Sequence, residues 1–150
     1  EAQPTFHRVP ALGYILFRQS QKLKPEYIGL PGKEIKRLKD KDEPIFFWQE
    51  HPLFAFSGDS TLEFVENNEK AREAEVLLLD CTYIDEKRTT AQAREWGHAH
   101  LDEVIEKAEL FANEKILLTH FSRRYHKTYI REILDQKLPQ QLQGRVEAMV

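Results

Sequence analysis

Short apolar runs alternate with amphipathic segments along much of the chain. Continuous apolar runs predict buried strands over residues 13–17, 75–81 and 115–119, and the run within 75–81 is typical of a sheet covered on both faces. Apolar residues recurring at every third or fourth position predict helices over 89–97, 101–113 and 125–137. A last strand is predicted over 145–150. Strands and helices therefore alternate in the second half, which predicts an α/β class with helices on a sheet.

The first half carries more turn signals and an uneven distribution of charge. Strands predicted over 44–48 and 53–56 flank a polar turn at 49–52, which is the pattern of a β-hairpin. A loop rich in proline and glycine over 24–32 leads into a predicted helix over 33–41. Residues 18–41 hold eight cations and three anions, so this segment either faces a polyanion or is a solvated helix surface. The helix gathers four cations on roughly one side: Lys33, Lys36, Arg37 and Lys41.

Composition and length exclude several classes of protein. The 150 residues are 41% hydrophobic and 31% charged with a net charge of −3, typical of one globular domain. No apolar run approaches the ~20 residues of a transmembrane helix, which excludes an integral membrane protein. The single cysteine, Cys81, excludes a disulfide framework and fits a reducing compartment such as the cytoplasm. The sequence begins at Glu1 without a methionine, so we expect it to be a piece of a longer protein.

Polar residues with catalytic or metal-binding chemistry follow three of the predicted strands. Asp59 comes shortly after the strand over 53–56, Asp80 lies at the end of the strand over 75–81, and His120 follows residue 119. In open α/β sheets, ligands and catalytic groups collect at the carboxyl ends of the strands. Two carboxylates and an imidazole can bind zinc, but their spacing has no local signature. A turn-forming aspartate and a hydrogen-bonded structural histidine are the competing interpretations.

Four segments, in order, resemble motifs of ribonuclease Z, the tRNA 3′-end endonuclease of the metallo-β-lactamase superfamily. They are HRVPALGY at 7–14, FSGDS at 56–60, LDCTY at 79–83 with GH at 97–98, and LTHFSRRY at 118–125. The family patterns are a histidine before an apolar-Gly-Tyr strand, F-S-G-D-T, H-E-A-T-F with H-S-T, and L-T-H-x-S-x-R-Y. Asp80 replaces Glu, Ser60 replaces Thr, and His100 replaces the Thr of H-S-T. The match covers nearly the whole chain.

The resemblance implies a dinuclear zinc site and a proton donor. His7 and His120 would each bind one metal ion, and Asp59 would bridge the two. His98 would act as general acid toward the leaving 3′-oxygen, with Asp80 orienting its ring.

The resemblance also implies a surface that binds RNA, in the first place a tRNA precursor. Three residues would line a phosphate pocket: Ser122, Arg124 and Tyr125. Lys36 and Arg37 of the basic helix are candidates for further phosphate contacts. Many ribonuclease Z proteins carry a protruding arm that grips tRNA in this part of the chain, and the interval here is too short for a full arm.

The fold implied is the C-terminal half of a metallo-β-lactamase αββα sandwich, a mixed β-sheet with flanking helices. The family motif H-x-H-x-D-H, which lies in the N-terminal half, is absent from this sequence. We therefore expect the N-terminal half of the same protein to be a partner that covers an apolar face, which if left exposed favours a homodimer. With three ligand residues for two zinc ions, the chain alone is expected to bind zinc weakly and to be inactive.

The leading functional hypothesis is a metal-dependent phosphodiester hydrolase that processes tRNA 3′ ends. One alternative is a hydrolase of the same fold that acts on another phosphodiester or a small ester, which the short arm interval favours. The other is a non-catalytic half that docks on an active partner. Retention of four site residues argues against that second alternative: His7, Asp59, His98 and His120.

Overall fold

The computed structural model describes all 150 residues, from Glu1 to Val150. Its six strands form one sheet in the order β1 to β6: Ala2–Pro4, Leu12–Leu23, Phe46–Phe56, Val76–Asp80, Lys115–Thr119 and Val146–Ala148. Helices α1 to α6 are Gly32–Lys39, Glu63–Glu66, Glu69–Glu73, Thr90–Glu95, Leu101–Glu106 and Lys127–Lys137, with 3₁₀ turns at Pro25–Tyr27 and Ala108–Leu110. β1 pairs antiparallel with β2, whereas β3 to β6 are parallel. The sheet is mixed, and the predicted α/β class is confirmed.

The chain divides into two compact units. The larger unit comprises Glu1–Leu16 and Pro52–Val150, and it contains every strand and helix from β4 onward. The smaller unit, Phe17–His51, comprises most of β2, helix α1 and the first part of β3. The composition of the chain predicts one domain and does not indicate this division. Both boundaries fall inside continuous strands, so no linker composition marks them.

Alternate strand residues form the core of the larger unit. Leu77 and Leu79 of β4 have no exposed surface, nor do Ile116 and Leu118 of β5. The intervening Leu78 is only half-buried, like the other residues on its side of these two strands. One face of these strands is fully buried in this chain and the other is only half-buried, so complete cover of the second face stays a prediction.

Strand β2 also has an exposed apolar face. Leu12, Tyr14 and Leu16 are 51%, 46% and 56% exposed, whereas the alternating Gly13 and Ile15 are buried. The expectation of an exposed apolar face is thus confirmed. Cover of this face by the N-terminal half of the same protein stays a prediction.

The predicted hairpin is wrong, because Phe46–Phe56 is a single strand that passes through Pro52. Its ladder to β4 begins at Phe54, so the missing N–H of Pro52 interrupts no bond of that ladder. The carbonyl of Pro52 accepts the backbone N–H of Glu75 at 3.2 Å. A proline that the sequence marks as a turn therefore lies inside a strand.

The helix predicted over 101–113 ends early, at Glu106, and a 3₁₀ turn follows it. The side-chain amide of Asn113 is buried and donates to the carbonyls of Ala71 and Ala74 at 2.9 and 2.7 Å. These tertiary hydrogen bonds hold Asn113 in a non-helical position, so the helix does not extend to the predicted limit. Helix α1 also ends before its predicted limit, so Lys41 lies outside it.

Several local predictions are confirmed. β5 has the predicted bounds, and Thr89 caps α4 in a capping box with Gln92. Gly97 follows α4 in the left-handed region at φ +82°, as expected of a glycine that ends a helix. None of the helices is long and apolar enough to cross a membrane.

Candidate active site at the carboxyl ends of the parallel strands

Strands β3, β4 and β5 are parallel neighbours, so the segments that follow them meet at one edge of the sheet. Asp59, Asp80 and His120 lie there, all within the larger unit. The Nε2 atom of His120 is 3.5 Å from Oδ1 of Asp59, and its Nδ1 atom is 3.6 Å from Oδ2 of Asp80. Parallel topology thus joins residues that are up to 61 positions apart in the chain.

Two further histidines complete this cluster. His7 comes from the loop between β1 and β2, and its ring centroid is 5.1 Å from that of His98. The His98 ring is in turn 5.0 Å from the His120 ring. The backbone N–H of Phe6 donates to Ser60 Oγ at 3.1 Å, which ties the His7 loop to the segment after β3. The predicted convergence of His7, Asp59 and His120 is confirmed, whereas their metal-binding roles stay predictions.

Gly97 makes room for the His7 loop. A Cβ atom on Gly97 would lie 2.6 Å from Cδ2 of His7 and 2.8 Å from the backbone nitrogen of Arg8. The Nδ1 atom of His7 accepts the backbone N–H of Val9 at 3.3 Å. In the neutral ring this places the hydrogen on Nε2, so binding of a metal ion by neutral His7 through either nitrogen requires the loss of the contact with Val9.

Asp80 is fully buried, and its carboxylate accepts four hydrogen bonds. The donors to Oδ1 are the backbone N–H and the hydroxyl of Thr82, at 3.0 and 2.8 Å. The donors to Oδ2 are the backbone N–H of Ser60 at 3.2 Å and Nδ1 of His98 at 2.7 Å. Such saturation is what a buried carboxylate requires. The predicted contact between His98 and Asp80 is confirmed.

Two sets of side chains in the cluster could hold a metal ion. Asp80, His98 and His120 have ligand atoms within 4.8 Å of one another. Asp80 is a poor ligand, however, because both of its oxygens are occupied by hydrogen bonds inside the protein. The side chains of Asp59 and His120 are 48% and 45% exposed, and their facing atoms are 3.5 Å apart. Two donors at ~2.0–2.1 Å from a tetrahedral zinc lie about 3.4 Å apart, so this pair fits the metal better.

His120 adopts a left-handed backbone conformation, with φ at +62°. For a residue other than glycine this costs on the order of 1–3 kcal/mol and persists only where the surroundings impose it. Thr82 supplies two of the constraints: its hydroxyl is 2.9 Å from Nδ1 of His120, and its carbonyl accepts the backbone N–H of Ser122 at 3.0 Å. Strain of this kind is common at functional sites.

The segment after His120 carries several positively charged residues. Arg123, Arg124 and Lys127 are exposed and form no ion pair. The Nε–H of Arg124 donates to Ser122 Oγ at 3.1 Å. A cavity of about 310 Å³ beside His120 is lined in part by Ser122, Arg123, Tyr125 and Lys127. These cations give this edge the charge needed to attract a phosphate.

Tyr125 uses its hydroxyl inside the protein. It donates to Oδ1 of buried Asp85 at 2.9 Å, and its ring stacks on Tyr129 with centroids 5.9 Å apart. Burial raises the pKa of Tyr125 to about 12, with Asp85 acting in the same direction and the backbone N–H of Ile84 opposing it. The hydroxyl therefore stays protonated and holds the segment in place. Its contact with phosphate stays a prediction.

Two residues near the cluster have structural roles. Burial, together with the charge of Asp80, holds the pKa of the Cys81 thiol well above its ordinary value, so Cys81 is not a nucleophile. His100 is fully buried; its Nδ1 accepts the backbone N–H of Asp102 at 3.1 Å and its Nε2 lies 3.2 Å from the carbonyl of Asp85. The replacement of the family threonine by His100 thus supplies the cap of α5.

The predicted RNA contacts Lys36 and Arg37 belong to the smaller unit. Both are exposed; Arg37 pairs with Glu34 at 2.9 Å, and Lys36 forms no ion pair.

Thr82 and Asp85 hold site residues in place, and the sequence motifs do not predict these roles. A threonine two positions after a strand-end aspartate is a local signal that was available, because such side chains often bond nearby backbone and side-chain groups. The bond from Tyr125 to Asp85 spans 40 positions and has no such signal.

Sequence comparison with curated proteins identifies the family, although no family model matches the chain. It is 42% identical over 153 residues to tRNase Z TRZ1 of Arabidopsis thaliana, covering 99% of the chain and 54% of that protein. It is 36% identical over 148 residues to the chloroplastic tRNase Z TRZ2 of the same plant, covering 97% of the chain and 40% of that protein. The chain thus spans about half the length of the curated relatives it matches.

A solved structure shows the same fold. The metallo-β-lactamase fold protein YhfI from Bacillus subtilis superposes with a TM-score of 0.53 at 14% identity, over 98% of this chain and 45% of that one. Sequence motifs, sequence identity and fold agree: the chain belongs to the ribonuclease Z-like members of the metallo-β-lactamase superfamily.

Proposed function

We propose that the protein is a metal-dependent phosphodiester hydrolase that cleaves tRNA precursors at their 3′ ends, and that this chain supplies part of its active site. The observation that carries the proposal is the convergence of three ligand-type residues beside a histidine–aspartate pair: His7, Asp59 and His120 beside His98 and Asp80. The name tRNase Z of the relatives supports the substrate class.

The proposed ligands are His7, Asp59 and His120, with Asp59 shared between two zinc ions. Imidazole and carboxylate donors suit zinc. The further ligands that two ions require would come from the N-terminal half of the same protein. Bound metal would stabilise the negative charge that develops on the phosphate during cleavage.

His98 is the proposed proton donor to the leaving 3′-oxygen. Its Nδ1 atom is 2.7 Å from Oδ2 of Asp80, so Nε2 is the ring nitrogen left to face a substrate. A fixed ring orientation is what a general acid needs, because proton transfer requires hydrogen-bond reach to the departing oxygen.

Exposed cations would hold the RNA backbone. Arg124 and Ser122 are already joined by a hydrogen bond, which presents the guanidinium of Arg124 at the site edge for a two-pronged phosphate contact. Lys127 adds a charge there, and Lys36 and Arg37 of the smaller unit would contribute phosphate contacts that do not depend on base sequence.

The test is a cleavage assay with the complete protein on a precursor tRNA that carries a 3′ trailer, run beside a small chromogenic phosphodiester and a small ester. We expect the precursor to be cut, His98→Ala to lower turnover on the order of 10²-fold or more, and metal content to stay unchanged. His51→Ala, an exposed histidine of the smaller unit, is the matched control and should retain activity.

Other outcomes select the alternatives. Cleavage of the small substrates with no cutting of the precursor would point to another hydrolase of the same fold. No cleavage of any substrate by metal-loaded protein would refute catalysis and favour a docking role. Loss of metal in His98→Ala would reassign His98 as a ligand.

A further inference from the structure

We propose that Thr82 is a positioning residue that sets the ring hydrogen of His120. Its hydroxyl would hold the tautomer with hydrogen on Nδ1 and leave the Nε2 lone pair facing Asp59. The tautomer follows from hydrogen bonds alone, whereas its use in metal binding rests on the proposed function.

Asp80 has no exposed surface. Its Oδ1 accepts the backbone N–H of Thr82 at 3.0 Å, and its Oδ2 accepts the backbone N–H of Ser60 at 3.2 Å. Backbone N–H groups can only donate, so both oxygens act as acceptors here. The Thr82 hydroxyl, 2.8 Å from Oδ1, therefore donates its one hydrogen to Asp80.

Thr82 is also in contact with His120. Oγ1 of Thr82 lies 2.9 Å from Nδ1 of His120. Because the hydroxyl hydrogen already points to Asp80, Oγ1 can only accept, and Nδ1 of His120 must carry the hydrogen. A neutral imidazole has one ring hydrogen, so Nε2 is bare. That atom is 3.5 Å from Oδ1 of Asp59, and the His120 side chain that carries it is 45% exposed.

Asp80 thereby fixes the position of the ring hydrogen in two histidines, His98 and His120. Its Oδ2 takes the Nδ1–H of His98 directly, at 2.7 Å, and its Oδ1 acts on His120 through Thr82. Both rings present Nε2 away from the buried carboxylate. Orientation of a metal-binding histidine through its other ring nitrogen is a general device, and removing the supporting group typically weakens metal binding 10–100-fold.

The experiment reads the tautomer directly in protein labelled with ¹⁵N at histidine and freed of metal. Long-range ¹H–¹⁵N correlation spectra distinguish Nδ1–H from Nε2–H rings, and His120→Asn assigns the signal. We expect Nδ1–H for His120 in the unmodified protein. Thr82→Val, which keeps the shape and removes the hydroxyl, should shift the ring toward Nε2–H, and Thr82→Ser should restore Nδ1–H.

Thr61→Val is the matched control, because Thr61 is also buried and also bonds a carboxylate, that of Glu63 at 3.1 Å. It should leave the His120 ring unchanged. In the complete protein, chelator competition should show zinc affinity lowered about 10–100-fold by Thr82→Val and retained in Thr82→Ser. If Thr82→Val does not fold, the unmodified protein and Thr82→Ser still decide the tautomer.

An Nε2–H signal for His120 in the unmodified protein would overturn the inference. So would a folded Thr82→Val variant with an unchanged ring signal. The predicted tautomer in a protein that cuts no RNA would leave the assignment standing and refute only the proposed function.

Discussion

Replacement of Gly97 by alanine tests how closely the His7 loop is fitted to the end of α4. Gly97 has φ +82°, a conformation that costs alanine roughly 1–2 kcal/mol. The added Cβ would also lie 2.8 Å from the backbone nitrogen of Arg8 and 3.0 Å from Cα of His7. Because these are backbone atoms, rotation of the His7 side chain cannot relieve the contact.

The size of the displacement follows from the distances. Ordinary contact begins at 3.4 Å, so the backbone at Arg8 must move by about 0.6 Å from its 2.8 Å position. Overpacking of this kind costs about 1–3 kcal/mol. A shift of the loop also moves His7 relative to Asp59, and we expect metal affinity in the complete protein to fall on the order of 10-fold.

Gly144→Ala separates the cost of the backbone conformation from the cost of the close contact. Gly144 has a similar φ of +76°, but no atom lies within 4 Å of its added Cβ. Urea unfolding should show Gly97→Ala to be less stable than Gly144→Ala by about 1–3 kcal/mol. Chelator competition should show a loss of zinc affinity in Gly97→Ala only. Equal stability and equal affinity in the two variants would refute the close fit between Gly97 and the His7 loop.

Three further predictions concern the surroundings of the site. Asp80→Asn should lower turnover on the order of 10²-fold, because its amide must turn an NH₂ group toward donors such as His98; unchanged turnover would refute the orienting role. Thr89→Ala should cost about 1 kcal/mol in urea unfolding by removing the cap it shares with Gln92, with Thr89→Ser as the control that keeps it. Cys81, whose pKa is raised by burial, should resist a thiol reagent at pH 8 until the protein is unfolded, and rapid labelling of folded protein would contradict this.

Local features of the structure were predictable from the sequence because they depend on neighbouring residues. The bounds of β5, the cap at Thr89 and the helix-ending Gly97 agree with the predictions, since apolar runs, cap side chains and glycine act within a few positions. The placement of Asp59 and His120 after strands was also predictable. Parallel pairing then brings such positions to one edge of the sheet.

Long-range contacts decided what the sequence could not. Pro52 lies within a strand because the ladder to β4 starts beyond it, and the helix from Leu101 stops early because buried Asn113 bonds distant carbonyls. The exposure of one sheet face is likewise a property of the packed sheet.

Residue type and strand position are both local, so the sequence alone indicates which chemical groups stand at the strand ends. The way in which those groups are held depends on the folded chain. The bonds that join Asp80 to Thr82 and Thr82 to His120 depend on separations of 2.8 and 2.9 Å, and the second crosses 38 positions of the chain. Hydrogen bonds weaken steeply with distance and angle, so ring orientation and proton placement at His120 and His98 are set by the folded arrangement of adjacent strands.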